Sequence, residues 1–157
     1  MILANEKLEK KFLDRLQLLS EQISDLIYKK VEKAGDSVKS PYEIVKIILN
    51  ELQRNIHLMI LEIDKKKAFT ISRKFKDVKI CQNSISKHVV RCLTTIYSLQ
   101  TSLDFEKGGK IATNLFQLYE FCRTQVIESF SSSENNGLKK SYDALSQIIR
   151  AWETMEF

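Results

Sequence analysis

The sequence predicts an all-α protein, an antiparallel four-helix bundle with an additional N-terminal amphipathic helix, on three observations. Apolar residues recur at steps of three and four along most of the chain, the spacing that gathers them on one face of a helix. Only four glycines and one proline occur in 157 residues, too few for the tight turns of a sheet protein. The segments that interrupt the periodicity are short and polar, and short connectors force neighbouring helices to run antiparallel. Apolar residues make up 43% and charged residues 29%, ordinary globular usage that supports a single core.

The first element is the stripe Leu8, Phe12, Leu16, Leu19, Ile23 and Leu26, flanked by Lys7, Lys10, Lys11, Asp14, Arg15, Glu21 and Asp25. It reads as an amphipathic helix from Asn5 to Ile27 that needs a partner surface. Lys33 to Lys39, with Gly35 and Asp36, breaks it, so residues 1–39 are assigned to this helix and a linker and residues 40–157 to the bundle.

The bundle opens on Ser40-Pro41-Tyr42-Glu43. Ser40 suits an N-cap, Pro41 the first helical position, and Glu43 the return half of a capping box. The helix carries Tyr42, Val45, Ile48 or Leu49, Leu52, Ile56, Met59, Ile60 and Ile63, and is expected to end in Asp64-Lys65-Lys66-Lys67, where lysines suit the negative end of the dipole. The next series is Ile71, Phe75, Val78, Ile85, Val89, Cys92, Ile96, Leu99 and Leu103, a helix of about eight turns. Asp104 to Gly109 is expected to break the chain before a third helix through Ile111, Leu115, Leu118, Tyr119, Cys122, Val126 and Phe130. Ser131 to Gly137 reads as a polar connector that does not pack. The last helix carries Leu138, Tyr142, Leu145, Ile148, Ile149 and Trp152.

Chemistry is hard to find in this pattern. Neither His57 nor His88 has a carboxylate or a second histidine three or four residues away, so neither reads as a metal ligand. Cys81, Cys92 and Cys122 form no CxxC pair and read as buried small hydrophobes in a reducing compartment. No Glu-x-x-His pattern supports a di-iron bundle, and Gly108-Gly109 lacks a phosphate-loop frame. No enzymatic activity and no cofactor are expected. Without an apolar leader or a long uncharged stretch, the expected location is cytoplasmic, with no membrane insertion.

What remains is surface. Net charge is +5, and between Lys65 and Arg91 nine basic residues face the single acid Asp77. Such a run reads either as a solvated helix face or as a contact for nucleic acid or an acidic regulatory protein. Apolar residues beyond the needs of a core would instead line grooves that take an amphipathic segment of a partner. Tyr42, Leu49, Leu58, Phe69, Phe105, Phe116 and Phe121 are candidates for that surplus, each with ordinary core packing as the alternative.

The stretch Ser98-Leu99-Gln100-Thr101-Ser102-Leu103-Asp104-Phe105-Glu106-Lys107-Gly108-Gly109, followed by Ile111-Ala112, Asn114-Leu115 and Leu118-Tyr119-Glu120-Phe121, resembles the flagellar export chaperone family (FliS). Ile148-Ile149-Arg150-Ala151-Trp152 looks like that family's closing Ile-Arg-x-x-Trp shortened by one residue, and Ser40-Pro41-Tyr42-Glu43-Ile44 looks like its opening. The likeness runs from about residue 28 to 154. Two features depart: the family's Leu-Tyr-Asp-Gly stands here as Ile48-Leu49-Asn50-Glu51, and its N-terminal tyrosine pair is reduced to Tyr28-Lys29, with Val31 in the second position. The resemblance implies a cytoplasmic helical chaperone, monomer or homodimer, that binds the disordered C-terminal segment of flagellin and prevents early polymerisation. It also implies contact with the flagellar type III export gate and with an anti-sigma factor. The partner-binding residues it suggests are Tyr28, Tyr42, Val45, Leu49, Leu52, Ile56, Phe75, Val78, Ile85, Leu115, Leu118 and Tyr119. Nucleic acid is not among the partners it implies; a basic helical module binding nucleic acid or a regulatory protein stands as the alternative.

Overall fold

The computed structural model describes residues 41–154, with side chains from Glu43 onward. The Leu8–Leu26 stripe, its linker, Ser40 of the predicted cap and Tyr28 therefore lie outside the described residues, as does the Tyr42 side chain. Among the described residues all regular structure is helical: α1 Pro41–Ile71, α2 Phe75–Thr101, α3 Phe105–Ser132 and α4 Asn136–Thr154.

Helix α1 packs against α2 and α4, and α3 packs against the same two. Polar contacts along α1 give the sense of the α4 pairing. Lys46 meets Glu153 at 3.5 Å, Gln53 donates to Ser146 Oγ at 2.6 Å, and Lys67 meets Glu134 at 3.0 Å. Residue numbers rise along one helix as they fall along the other, so the two run antiparallel.

The core follows the apolar stripes. Leu49, Leu52, Ile56, Met59 and Ile63 of α1 face Ile85, Cys92, Ile96 and Leu99 of α2, Tyr119, Cys122 and Val126 of α3, and Leu138 and Leu145 of α4. Full burial of one such aliphatic side chain stabilises the fold by about 1.5–3 kcal/mol. All three cysteines are buried free thiols, as expected. Burial raises the pKa of Cys92 and pushes Cys122 up to about 11 and the Tyr119 hydroxyl up to about 12. None of them ionises near neutral pH.

All three junctions between the helices differ from the expected ones. Helix α1 does not stop in the lysine run but continues to Ile71, and two of the lysines reach the α3–α4 connector. Lys65 pairs with Glu62, Lys66 Nζ donates to Ser133 Oγ at 2.9 Å, and Lys67 holds Glu134. The end is a Schellman motif: Lys74 N–H donates to Phe69 O at 2.9 Å and Arg73 N–H to Thr70 O at 3.2 Å, with Arg73 left-handed at φ 56°. Ile71 thus closes α1 rather than opening α2, and it is 84% exposed. At the other end of α2 the helix stops at Thr101, short of Leu103.

The second difference is at residues 105–108, which form a first turn of α3 before the break at Gly109. The third is the α3–α4 connector, which packs after all. Asn135 is 4% exposed, and its amide donates to Asp64 Oδ1 at 2.8 Å. A buried amide needs such a partner.

Candidate binding cleft

The start of α3 is built by a short sequence of cooperating signals. The Asp104 carboxylate accepts the backbone N–H groups of Glu106 and Lys107, both at 3.0 Å, which is N-cap chemistry. One turn later Gly109 has φ 52° and ψ −124°, a conformation that side chains with a Cβ rarely adopt. Gly108 is required for a different reason: a Cβ there would stand 2.8 Å from that of Ala112. The two glycines let the first turn fold tightly onto the next and change direction.

That kink opens an apolar cleft of about 360 Å³ beside α3. Its walls are Leu103 at the end of α2, Ile111, Ala112 and Leu115 of α3, Val45 near the start of α1 and Trp152 near the end of α4. Tyr119 forms part of its lining from the buried side, and Ser102, Asp104, Lys107 and Gly108 complete the rim. Val45, Leu103, Leu115 and Trp152 are half-buried and rest on the core, while Ile111 is 72% exposed. Nearby, Phe105 and Phe116 meet edge-on with ring centroids 6.0 Å apart and remain exposed. Half-buried apolar walls with a small polar rim can take an apolar side chain of another molecule.

The cleft is braced from α2. Gln100 donates to Glu120 Oε1 at 2.8 Å, and Arg123 grips both oxygens of Glu120, with Nε to Oε1 at 3.0 Å and Nη2 to Oε2 at 2.9 Å. The Arg123 contact holds the Glu120 carboxyl below its ordinary pKa.

The structure brings only some of the sequence-suggested residues to this place. Val45, Leu115 and Tyr119 line the cleft, and Leu118 is half-buried against the core. Leu49, Leu52, Ile56 and Ile85 are core residues at 2% exposure or less, so in this folded state they present no surface. Phe75 (66% exposed) and Val78 (half-buried) sit at the opposite end of α2 from Leu103. Of the proposed surplus, Leu58 and Phe69 are half-buried and Phe105, Phe116 and Phe121 exposed, whereas Leu49 is in the core. Sequence reasoning missed Leu103, Ile111 and Trp152 as site residues. The Asp-then-Gly-Gly spacing was the available signal, because an N-cap followed by a glycine break exposes the side chains around it.

Neither histidine has metal-site surroundings, and among the described residues no group of three His, Cys, Asp or Glu side chains could hold a metal ion. His88 Nδ1 lies 3.0 Å from Asn55 Oδ1. The Asn55 amide nitrogen is committed to Glu51, so the oxygen accepts and the imidazole donates. Among the described residues no helix is long and apolar enough to cross a membrane.

Comparison with known proteins places these features in one class of helical proteins. The family described as flagellar protein FliS matches residues 24–156, and the chain belongs to that family. Among similar curated proteins, the flagellar secretion chaperone FliS of Salmonella typhimurium is 34% identical over 35% of this chain and 41% of its own length. Its namesake from Vibrio cholerae is 33% identical over 40% of this chain and 46% of its own, and FliSB of Pseudomonas aeruginosa 29% identical over 40% and 50%. The matched region thus spans about half the length of these relatives or less. No solved structure matches the chain significantly. The family is one of chaperones, not enzymes.

Proposed function

We propose that this chain is a flagellar export chaperone that holds the disordered C-terminal segment of flagellin and keeps it from polymerising before type III export. One observation carries the reading. Every residue lining the cleft except Val45 belongs to the stretches that resemble the family, Ser98–Phe121 and Ile148–Trp152. The family pattern and the one apolar cleft described above are therefore built from the same residues.

The mechanism follows from the chemistry of the walls. A disordered amphipathic segment lays apolar side chains at helical spacing into the cleft and along the exposed Phe105–Phe116 pair. The cost of ordering it moderates affinity, which suits a client that must be released at the export gate. In this reading the protein is cytoplasmic, a monomer or homodimer, and the export gate and an anti-sigma factor are further partners. In this reading the chaperone unit is residues 40–157, although the family match already begins at residue 24.

The single tryptophan, Trp152, lies in the cleft wall and provides a built-in reporter. Titration with the last forty or so residues of flagellin from the same source is expected to shift its emission, with saturation at micromolar concentrations or below. Leu115→Ala is expected to weaken that binding roughly fivefold, the equivalent of ~1 kcal/mol of lost apolar contact. Absence of binding at micromolar concentrations by a folded protein would refute the reading.

A further inference from the structure

The α1–α2 hairpin end carries a second surface that the cleft does not use. Ile71 is 84% exposed, Phe75 66% and Ile80 65%, three of the four most exposed large apolar side chains among the described residues. All fall within ten residues of chain, and Arg73, Lys74, Lys76 and Lys79 are interleaved with them, all exposed. Acids near this end are otherwise engaged. Glu62 pairs with Lys65, Glu134 pairs with Lys67, Asp64 accepts from Asn135, and Asp77 is half-buried. None of the four interleaved cations has an ion pair among the described residues.

We infer that this hairpin end docks on an anionic lipid surface, with Ile71, Phe75 and Ile80 entering the headgroup boundary and Arg73, Lys74, Lys76 and Lys79 meeting lipid phosphates. Entered tip-first, with α2 along the membrane normal, Phe75 and Ile80 stand about 7.5 Å apart in depth, within the roughly 5–10 Å that interfacial apolar groups penetrate. Nucleic acid would leave both isoleucines in water against phosphate, and one phenylalanine is no stacking platform. This is peripheral attachment, not a span. Val45 and Ile71 stand at opposite ends of α1, about 39 Å apart, so the membrane contact leaves the cleft open. The inference does not rest on the client of the cleft.

The test is co-sedimentation of the full chain with vesicles of phosphatidylglycerol and phosphatidylcholine, compared with phosphatidylcholine alone. Binding is expected only to the anionic vesicles, to fall about fivefold for each cation removed in Lys74→Gln, Lys76→Gln and Lys79→Gln, and to weaken with salt. Ile71→Ser with Ile80→Ser is expected to reduce it at least tenfold while the circular dichroism stays helical. As an independent readout, Phe75→Trp in a Trp152→Phe background is expected to shift its emission to the blue on anionic vesicles. Failure to bind, equal binding to neutral vesicles, or indifference to the isoleucine pair would overturn the inference. So would a single-stranded RNA that binds the same end more tightly and is lost with the same variants.

Discussion

Replacing Gly109 with alanine tests whether the kink at the start of α3 is a built feature. At φ 52° and ψ −124° the backbone lies outside the wells open to a residue with a Cβ, and nothing within 4 Å would obstruct the added methyl. The penalty is therefore conformational alone, about 1–3 kcal/mol. Alanine also stiffens the unfolded chain, which returns about 0.4–1 kcal/mol. The net expectation is a loss of about 1–2 kcal/mol, or a urea midpoint lower by roughly 0.5–1 M for an m-value of about 2 kcal/mol/M. Lys110→Ala, one residue on at an exposed position, is the control and is expected to stay within about 0.5 kcal/mol. Because the kink sets Ile111 and Leu115 against Leu103, the same Gly109 variant is expected to weaken binding of the flagellin segment followed by Trp152 emission. An unchanged or higher midpoint would show that Gly109 is not held in that conformation, and the account of the cleft would fail with it.

Two further outcomes follow from local geometry. Arg73 occupies the left-handed position that glycine usually fills at a helix C-terminus, so Arg73→Gly is expected to leave stability unchanged or raise it by up to about 1 kcal/mol; a clear loss in urea melts would contradict the Schellman assignment. His88 has its pKa lowered, chiefly by burial and next by Arg91, with Glu62 and Glu51 opposing and Arg54 adding to the effect. A lowered folded-state value means the unfolded chain takes up the proton first, so stability is full above pH 6.5 and declines as pH falls through and below that value. His88→Gln is expected to flatten this part of the curve in urea melts taken between about pH 7.5 and 5.5.

Much of the fold was legible because helical periodicity is a property of the chain itself. The stripes through Leu52, Ile56 and Ile63, through Ile85, Cys92 and Ile96, and through Leu138 and Leu145 all became core. Periodicity gives the face a residue occupies but not its depth. Leu49 and Val45 lie one helical turn apart on α1, yet one is fully buried and the other lines the cleft. The ends were less legible where tertiary contacts overrode local signals. The Lys65–Lys67 run looked like a terminus until Ser133 and Glu134 took up its charges, and Asn135 looked like loop until Asp64 gave it a partner. Arg73 carried no sign of its left-handed backbone, since glycine is the usual marker there.

The walls of the cleft come from both ends of the described chain, Val45 in the first turns of α1 and Trp152 in the last turns of α4. A polypeptide still emerging from the ribosome, with α1 to α3 made and α4 not yet released, has no closed site to offer. In the proposed reading the last wall is added late in synthesis, and a copy interrupted before Trp152 is expected to hold a client more weakly than the full chain.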